Sequence, residues 1–486
     1  MKHYEELSGG EGRRVFYRAE RFNAKTLMSS ISPIVEMDDR SFDIYDISMS
    51  GISFVSPQNF SWLEDMNKDV PLQLKIGTTE VFSGNGKIRR IEPHENQHKV
   101  AVELTRGFLD IKKILAQHDD LALQQAVTIG LSDHSQLVPA AYKEAIGDAV
   151  YMFRSIHKVL DKVEADLGRD DSRRSERIKD IILACETKAL TRWREISRKC
   201  LKITEELGDD SLAIAAVKQY TEMVLTPEIL PGASWDRAYS KPLGYPGDYQ
   251  VMNYAYNLTL EGDTAYAKFC HRLGTSTGEF IATRMTMTKQ AIARLCTEAA
   301  ARGRSDFKAA SLGCGPAQEV ANYLKTPNIP LPVEFTLIDQ DHDALSYAYN
   351  STYPEVVRLD GMAWVRCLHA TFLEFLATGK LFSKLEKQDL IYAVGLADYL
   401  GKKRSTKLVN DLYSNLLPGG TLIIGCMRTS ETSLKWQVEY VVDWTLVHRT
   451  EQEMFELAEN IDPAAKREVV ADPTGHCHLL FVTKPE

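Results

Sequence analysis

No apolar run in this chain approaches the roughly 20 residues that a membrane-spanning helix needs. The opening Met1-Lys2-His3-Tyr4-Glu5-Glu6 carries nothing like the apolar core of a secretory signal, so a cytoplasmic location is expected. Paired cysteines are missing too. The eight, at 185, 200, 270, 296, 314, 367, 426 and 477, show neither CxxC pairs nor metal-ligand spacing. Reduced thiols in packed interiors are expected, because free Cys prefers burial, and no metal is. Basic charge is in deficit: 58 Lys and Arg stand against 67 Asp and Glu, a net charge of -9. Nucleic-acid polymers, whose binding draws on phosphate neutralisation, are therefore not expected partners. Internal repeats and low-complexity stretches are absent as well.

What remains is a chain of 486 residues, 44% of them hydrophobic, which exceeds one ordinary core. Three textures follow one another. Short alternating segments such as 42–47, 73–76 and 99–104, with turn residues between them, predict a small antiparallel β-barrel over 1–111. Over 112–226 apolar residues recur at three- and four-residue intervals, as in 149–156, 178–185 and 190–207. These predict a helical bundle, its stripes serving as core or as a homodimer surface. Over 227–486 the apolar runs 309–312, 334–338, 389–394, 421–426 and 477–483 alternate with helical stretches such as 318–325 and 405–417. That alternation predicts an α/β sheet.

The centre of the last segment is Leu312-Gly313-Cys314-Gly315-Pro316-Ala317, a strand running through glycines into a helix. Such a turn brings bare backbone and helix amides close to a ligand. The next run ends at Asp339, where a carboxylate can accept the hydroxyls of a ribose. A nicotinamide dinucleotide site would place Gly where this chain has Gln318. Strand, GxG turn, acidic strand end, a further strand and the turn Pro418-Gly419-Gly420 together resemble class I methyltransferases. The resemblance implies a Rossmann-like sheet with S-adenosylmethionine as cofactor. It places Gly313, Cys314, Gly315, Asp339, Ala370, Thr371, Gly395 and Tyr245 at that cofactor.

Three further segments sharpen the likeness: Lys241 to Tyr249 (KPLGYPGDY), Tyr392 to Leu400 (YAVGLADYL) and Asp443 to Thr450 (DWTLVHRT). Together they are similar to bacterial methyltransferases that make methyl esters of 3-hydroxy fatty acids, the 3-hydroxypalmitate methyl ester family. Leu243, Pro246, Val394 and Ala397 depart from that family's pattern, which leaves the acceptor open. A carboxylate acceptor needs no strong base, so proximity and a dry pocket suffice. An amine or phenol would need deprotonation, for which His448, Asp398 or His369 could serve. Asp398, Tyr399, His448 and Arg449 form the candidate catalytic set, with Arg449 proposed to pair with an acidic acceptor. Trp436 and Trp444 are candidate pocket walls; Tyr245, Tyr249, Tyr392 and Tyr399 are candidate orienting groups.

Near the N-terminus, Arg14 and Arg18 in Arg13-Arg14-Val15-Phe16-Tyr17-Arg18 precede Asp46-Ile47-Ser48-Met49-Ser50-Gly51. This resembles the two-part signature of PilZ domains, receptors for cyclic di-GMP. The likeness implies a ligand site of Arg13, Arg14, Arg18, Asp46, Ser48 and Gly51. Arginines pair with phosphates and stack on guanine, while Asp46 and Ser48 can bond guanine edges. The expectation is a methyltransferase acting on a small molecule and tuned by cyclic di-GMP. A signalling adaptor without turnover, or a methyltransferase acting on protein or nucleic acid, stays open.

Overall fold

The computed structural model describes residues 22–24, 28, 31–37, 40–57, 62, 66–94, 97–131, 134–167, 173–371, 374–375, 381–382 and 385–486. Arg13, Arg14 and Arg18 lie outside the described residues. By contact the chain divides into two compact units, Met1–His134 and Ser135–Glu486.

The first unit is antiparallel. Its strands are β1 (Phe22–Asn23), β2 (Pro33–Met37), β3 (Arg40–Ser48), β4 (Gly51–Pro57), β5 (Asp69–Ile76), β6 (Thr79–His94) and β7 (Gln97–Leu104). Six of them close a ring in the order β3-β2-β5-β6-β7-β4, with β4 returning to β3 and β1 extending β3. Alternation drives the closure: along β5, Val70, Leu72, Leu74 and Ile76 are buried while Asp69, Pro71 and Gln73 face outward. Inside, Phe54 stacks on Phe42 at 4.9 Å and meets Trp62 edge-on at 5.4 Å. Helix α1 (Ile111–Leu131) adds Ile114 to this core.

The second unit begins with the long helices α2 (Ala140–Asp166), α3 (Arg174–Glu206) and α4 (Ser211–Val224). Their apolar stripes, expected to form a separate bundle or a dimer face, are covered within the unit. Tyr142, Ile146, Phe153, Ile182 and Trp193 share one core with Trp436, Val441 and Trp444 from the C-terminal part. Buried hydrogen bonds stitch the two together. Trp193 Nε1 donates to Gln437 Oε1 at 3.0 Å, Trp436 Nε1 to Tyr142 Oη at 2.8 Å, and Thr226 Oγ1 to the Val441 carbonyl at 2.8 Å. The division in the chain therefore falls at 134/135, where the expected boundaries were 111/112 and 226/227.

After a single helical turn at Thr226–Ile229, four more helices follow: α5 (Ala233–Ser240), α6 (Tyr249–Asn257), α7 (Ala265–Thr277) and α8 (Glu279–Ala301). The sheet then alternates with helices. It contains β8 (Phe307–Leu312), α9 (Gln318–Leu324), β9 (Val333–Asp339), α10 (His342–Arg358), β10 (Ala363–His369), β11 (Gln388–Ala393), α11 (Lys402–Ser414) and β12 (Leu416–Arg428). Short β13 (His448–Arg449), α12 (Glu451–Glu456), β14 (Lys466–Ala471) and β15 (Cys477–Thr483) complete it. The order is β10-β9-β8-β11-β12-β15-β14, with β13 beside β12. Strands β8 to β12 are parallel, and β15 runs antiparallel to both β12 and β14, so the sheet is mixed. Strand β11 is buried at every position, as expected of a parallel strand covered on both faces. From β8 the chain winds one way to β9 and β10, then back across to β11 and β12. The switch point between β8 and β11 is where open sheets bind ligands, beyond the C-terminal strand ends.

Among the described residues no helix is long and apolar enough to cross a membrane. All eight cysteines are free thiols; six are buried, Cys185 is half-buried and Cys367 exposed.

Candidate active site and barrel pocket

Leu312 ends β8, and the chain turns through Gly313 (φ 63°) and Gly315 (φ 52°), left-handed conformations that a side chain would strain. The turn is tied to the end of β9. The Cys314 amide donates to the Ile338 carbonyl at 3.1 Å, and the Gly315 amide to Asp339 Oδ2 at 2.8 Å. The Asp341 amide donates to Asp339 Oδ1 at 3.0 Å. Burial raises the pKa of Asp339 while these amides pull it back. Two of the roughly four acceptor positions of its carboxylate are used, which leaves capacity for two hydroxyls.

A cavity of about 430 Å³ opens at this switch point. Gly313, Cys314, Gly315, Asp339 and Gln340 line one end; Ser311, Glu319 and Tyr392 stand where β8, β11 and α9 meet. Tyr392 Oη donates to Glu319 Oε1 at 2.9 Å, and burial raises the Glu319 pKa. Gly395, Asp398, Tyr399, Met427 and Trp444 also line the cavity, as do Phe280, Arg284, Met252 and Tyr256. Tyr245, Tyr249, Tyr392 and Tyr399 are all wall residues, and so is Trp444.

The two outer sequence segments meet face to face here. Gly247 (φ 75°) sits so close to Trp444 that a Cβ would lie 2.3 Å from its ring. Tyr399 Oη donates to the Pro246 carbonyl and accepts from Trp444 Nε1, both at 3.1 Å. Lys241 pairs with Asp443 at 2.6 Å, and Asp248 caps α6 while holding Arg237 at 2.8 Å. Tyr245 Oη donates to Asp341 Oδ2 at 3.3 Å; burial and the surrounding carboxylates push its pKa up.

Arg284 was not anticipated. It enters from α8 with only 11% of its side chain exposed, and its sole ion-pair partner among the described residues is Asp398, at 3.8 Å. Asp398 is already engaged, since its Oδ1 accepts the Met427 amide at 2.6 Å. Gly395 leaves space for the guanidinium, because a Cβ there would stand 3.4 Å from Arg284 Nη2. A sequence signal existed: Arg284 interrupts the otherwise buried stripe of Ile281, Thr288, Ile292 and Leu295. Glu319, Tyr256 and Met252 carried no comparable sign.

Several expected residues stand elsewhere. Arg449 is 3% exposed and spent on the protein itself. It donates to the Ala397 carbonyl and Cys426 Sγ at 2.9 Å, to Ser405 Oγ at 3.0 Å and to the Leu400 carbonyl. It clamps the turn that bears Asp398 and Tyr399, and does not line the cavity. His448 is also outside the lining; burial lowers its pKa, and its Nδ1 faces the Leu446 carbonyl at 3.2 Å. His369 stacks on His342 at 4.0 Å and does not line the cavity; its Nε2 faces the Gln340 carbonyl at 2.9 Å. Ala370 donates its amide to the Asp339 carbonyl at 2.9 Å, and Thr371 bonds Glu374 through its amide at 2.7 Å. Neither reaches the cavity wall, and Trp436 lies in the helical core.

In the barrel, a pocket of about 170 Å³ is lined by Asp46, Ser48, Gly51, Ser53, Arg89 and Glu103, among others. The Asp46 carboxylate accepts from Lys99 Nζ at 2.5 Å and Ser53 Oγ at 3.2 Å. Ser48 Oγ donates to the Gly51 carbonyl at 3.0 Å, closing the turn. Gly51 is required by packing: a Cβ would lie 2.3 Å from the Val102 carbonyl oxygen.

The chain matches no family model and no curated protein. Among solved structures it is similar to a protein from Bordetella parapertussis described as a possible exported protein. That likeness has 17% identity and a TM-score of 0.41, over 56% of this chain and 97% of that one. It is also similar to the N-methyltransferase NodS from Bradyrhizobium japonicum WM9 in complex with S-adenosyl-L-homocysteine, at 20% identity and a TM-score of 0.30, over 43% and 88% of the two chains. Magnesium protoporphyrin IX methyltransferase from Synechocystis PCC 6803, with bound S-adenosyl-L-homocysteine, is similar at 11% identity and a TM-score of 0.31, over 48% and 98%.

Proposed function

We propose that the Ser135–Glu486 unit is an S-adenosylmethionine-dependent methyltransferase acting on a small acidic molecule, such as the carboxylate of a hydroxy fatty acid. The observation that carries this reading is the shared cavity: a glycine turn with a buried carboxylate and an under-partnered arginine line the same space. Open space lies where side chains at Gly313 and Gly315 would project, and Asp339 keeps acceptor capacity for a ribose. These residues fit the cofactor, which when bound supplies an electrophilic methyl group.

The chain's own residues do the rest. Arg284, a planar fork of donors, would pair with the acceptor carboxylate and fix its orientation. No base is required, which agrees with His448 and His369 standing outside the cavity. Phe280, Ile281, Trp444 and Leu446 also line a small apolar annex with Trp235 and Val438. That annex supports an acceptor with an apolar portion, and the dry walls strengthen the ion pair. An unblocked cavity also favours turnover over a binding-only adaptor.

We further propose that the barrel binds cyclic di-GMP at the pocket of Asp46 and Ser48, with Arg13, Arg14 and Arg18 supplying phosphate contacts. Regulation requires that the nucleotide favour one of two states of differing activity. The test is transfer of a labelled methyl group into a cell extract, with product identification, repeated with added cyclic di-GMP. Absence of any labelled methyl ester of a small acid would sink the enzymatic reading, and an unchanged rate and acceptor affinity the regulatory one.

A further inference from the structure

A second cleft, of about 480 Å³, shares no lining residue with the candidate active-site cavity. It is bounded by α3, by the α7–α8 junction and by the turn between β14 and β15. Helix α8 serves both: Phe280, Ile281 and Arg284 face the active-site cavity, whereas Glu279 and Thr283 line the cleft.

The cleft's character differs from that of the cavity. Arg194 and Arg198, one turn apart on α3, both line it and are exposed. Neither forms an ion pair among the described residues; the Nε of Arg198 donates only to the Arg194 carbonyl, at 3.3 Å. Thr277 Oγ1 and His476 Nδ1, on two other walls, are buried polar atoms without a hydrogen-bond partner. Such atoms are costly to leave unsatisfied, so a ligand that reaches them gains by it. Glu279 is the one carboxylate of the lining, so positive charge prevails in a chain of net charge -9. Burial lowers the His476 pKa, and Arg194 and Arg428 add to that direction against Asp472. The ring is thus a neutral donor and acceptor at pH 7.

We infer that this cleft binds a phosphate-bearing small molecule, with Arg194 and Arg198 pairing with its oxygens and Thr277 and His476 completing the shell. Two guanidiniums one turn apart on one helix, both lining the cleft, suit a divalent tetrahedral anion better than a single carboxylate. The inference stands on the cleft's own groups and does not depend on the methyltransferase reading.

Pyrophosphate serves as the probe, titrated calorimetrically into the full-length protein at low salt. Saturable binding is expected, with at least a tenfold loss in Arg194→Glu/Arg198→Glu and a few-fold loss in Thr277→Val. The thermal unfolding midpoint and the circular dichroism spectrum should stay unchanged in both variants, which reports that they fold. Absence of saturable binding, or undiminished binding in the double arginine variant, overturns the inference.

Discussion

Arg284 and Asp398 stand side by side in the wall of the active-site cavity, 3.8 Å apart, a separation at which charge is balanced but no hydrogen bond forms. The pair leaves most donors of the guanidinium uncommitted. An acidic acceptor can engage them without first breaking a tight ion pair.

Replacing Arg284 by Ala should therefore lower kcat/KM for the acceptor about 100-fold, ~2.7 kcal/mol of transition-state binding. Affinity for S-adenosyl-L-homocysteine should change less than threefold. Steady-state kinetics with calorimetry separates the two; an equal loss in both would show that Arg284 supports the fold of the cavity and does not hold the acceptor.

Asp339→Ala and Gly315→Ala test the proposed cofactor site. The first removes the acceptor proposed for the ribose, and the second strains a left-handed residue by about 1–2 kcal/mol. Both should weaken S-adenosyl-L-homocysteine at least tenfold, measured by calorimetry, with the fold retained by circular dichroism. Native affinity in Asp339→Ala would remove the carboxylate from the cofactor site.

Arg449→Met tests a different role. Removing this guanidinium takes a charged donor from the carbonyls of Ala397 and Leu400, which keep only the Leu400 amide and the Ser405 hydroxyl, at a cost of about 3 kcal/mol in unfolding free energy. Urea denaturation should show that loss, while Arg284→Ala should be destabilised less. The reverse ranking would contradict the assignment of one arginine to structure and the other to ligand.

The pH dependence of stability has a defined direction at His271. Burial pushes its pKa down to about 4, and its Nδ1 accepts the Ser234 amide at 3.1 Å, which requires the neutral ring. The unfolded chain then binds the extra proton first, near pH 6.5. This contribution to stability is complete above that pH and is lost as pH falls from about 6.5 towards 4. Urea midpoints at pH 7 and 5 should draw closer together in His271→Asn, whose amide oxygen can accept the same bond. An unaltered pH dependence would reject the role given to His271.

For the barrel, Arg14→Ala/Arg18→Ala should abolish binding of labelled cyclic di-GMP. Asp46→Ala should weaken binding and also lower the thermal midpoint, because Lys99 and Ser53 lose their acceptor. Equilibrium dialysis measures the first effect and calorimetry the second.

How much of this could be read from the chain follows burial. Strands β8, β9, β11 and β15 were legible within two residues because most of their positions are apolar and nearly all are covered. Edge strands β10 and β14, half exposed and mixed in polarity, gave no such run. Strand β12 already begins at Leu416, so Pro418-Gly419-Gly420 lies within it and not ahead of it. The glycine turn and Asp339 were visible because their backbone demands are local. Arg284 and Arg449 were not separable, since both are buried arginines. Only packing decides that one points into a cavity and the other into main-chain carbonyls.

The shared core of α2, α3 and the stretch around Trp436 also dictates where the protein can be cut. A fragment starting near residue 227 would lose the partners of Trp436, Gln437 and Val441 and present their apolar faces to water. Such a truncation should be insoluble, and domain dissection succeeds only if residues 135–226 travel with the sheet.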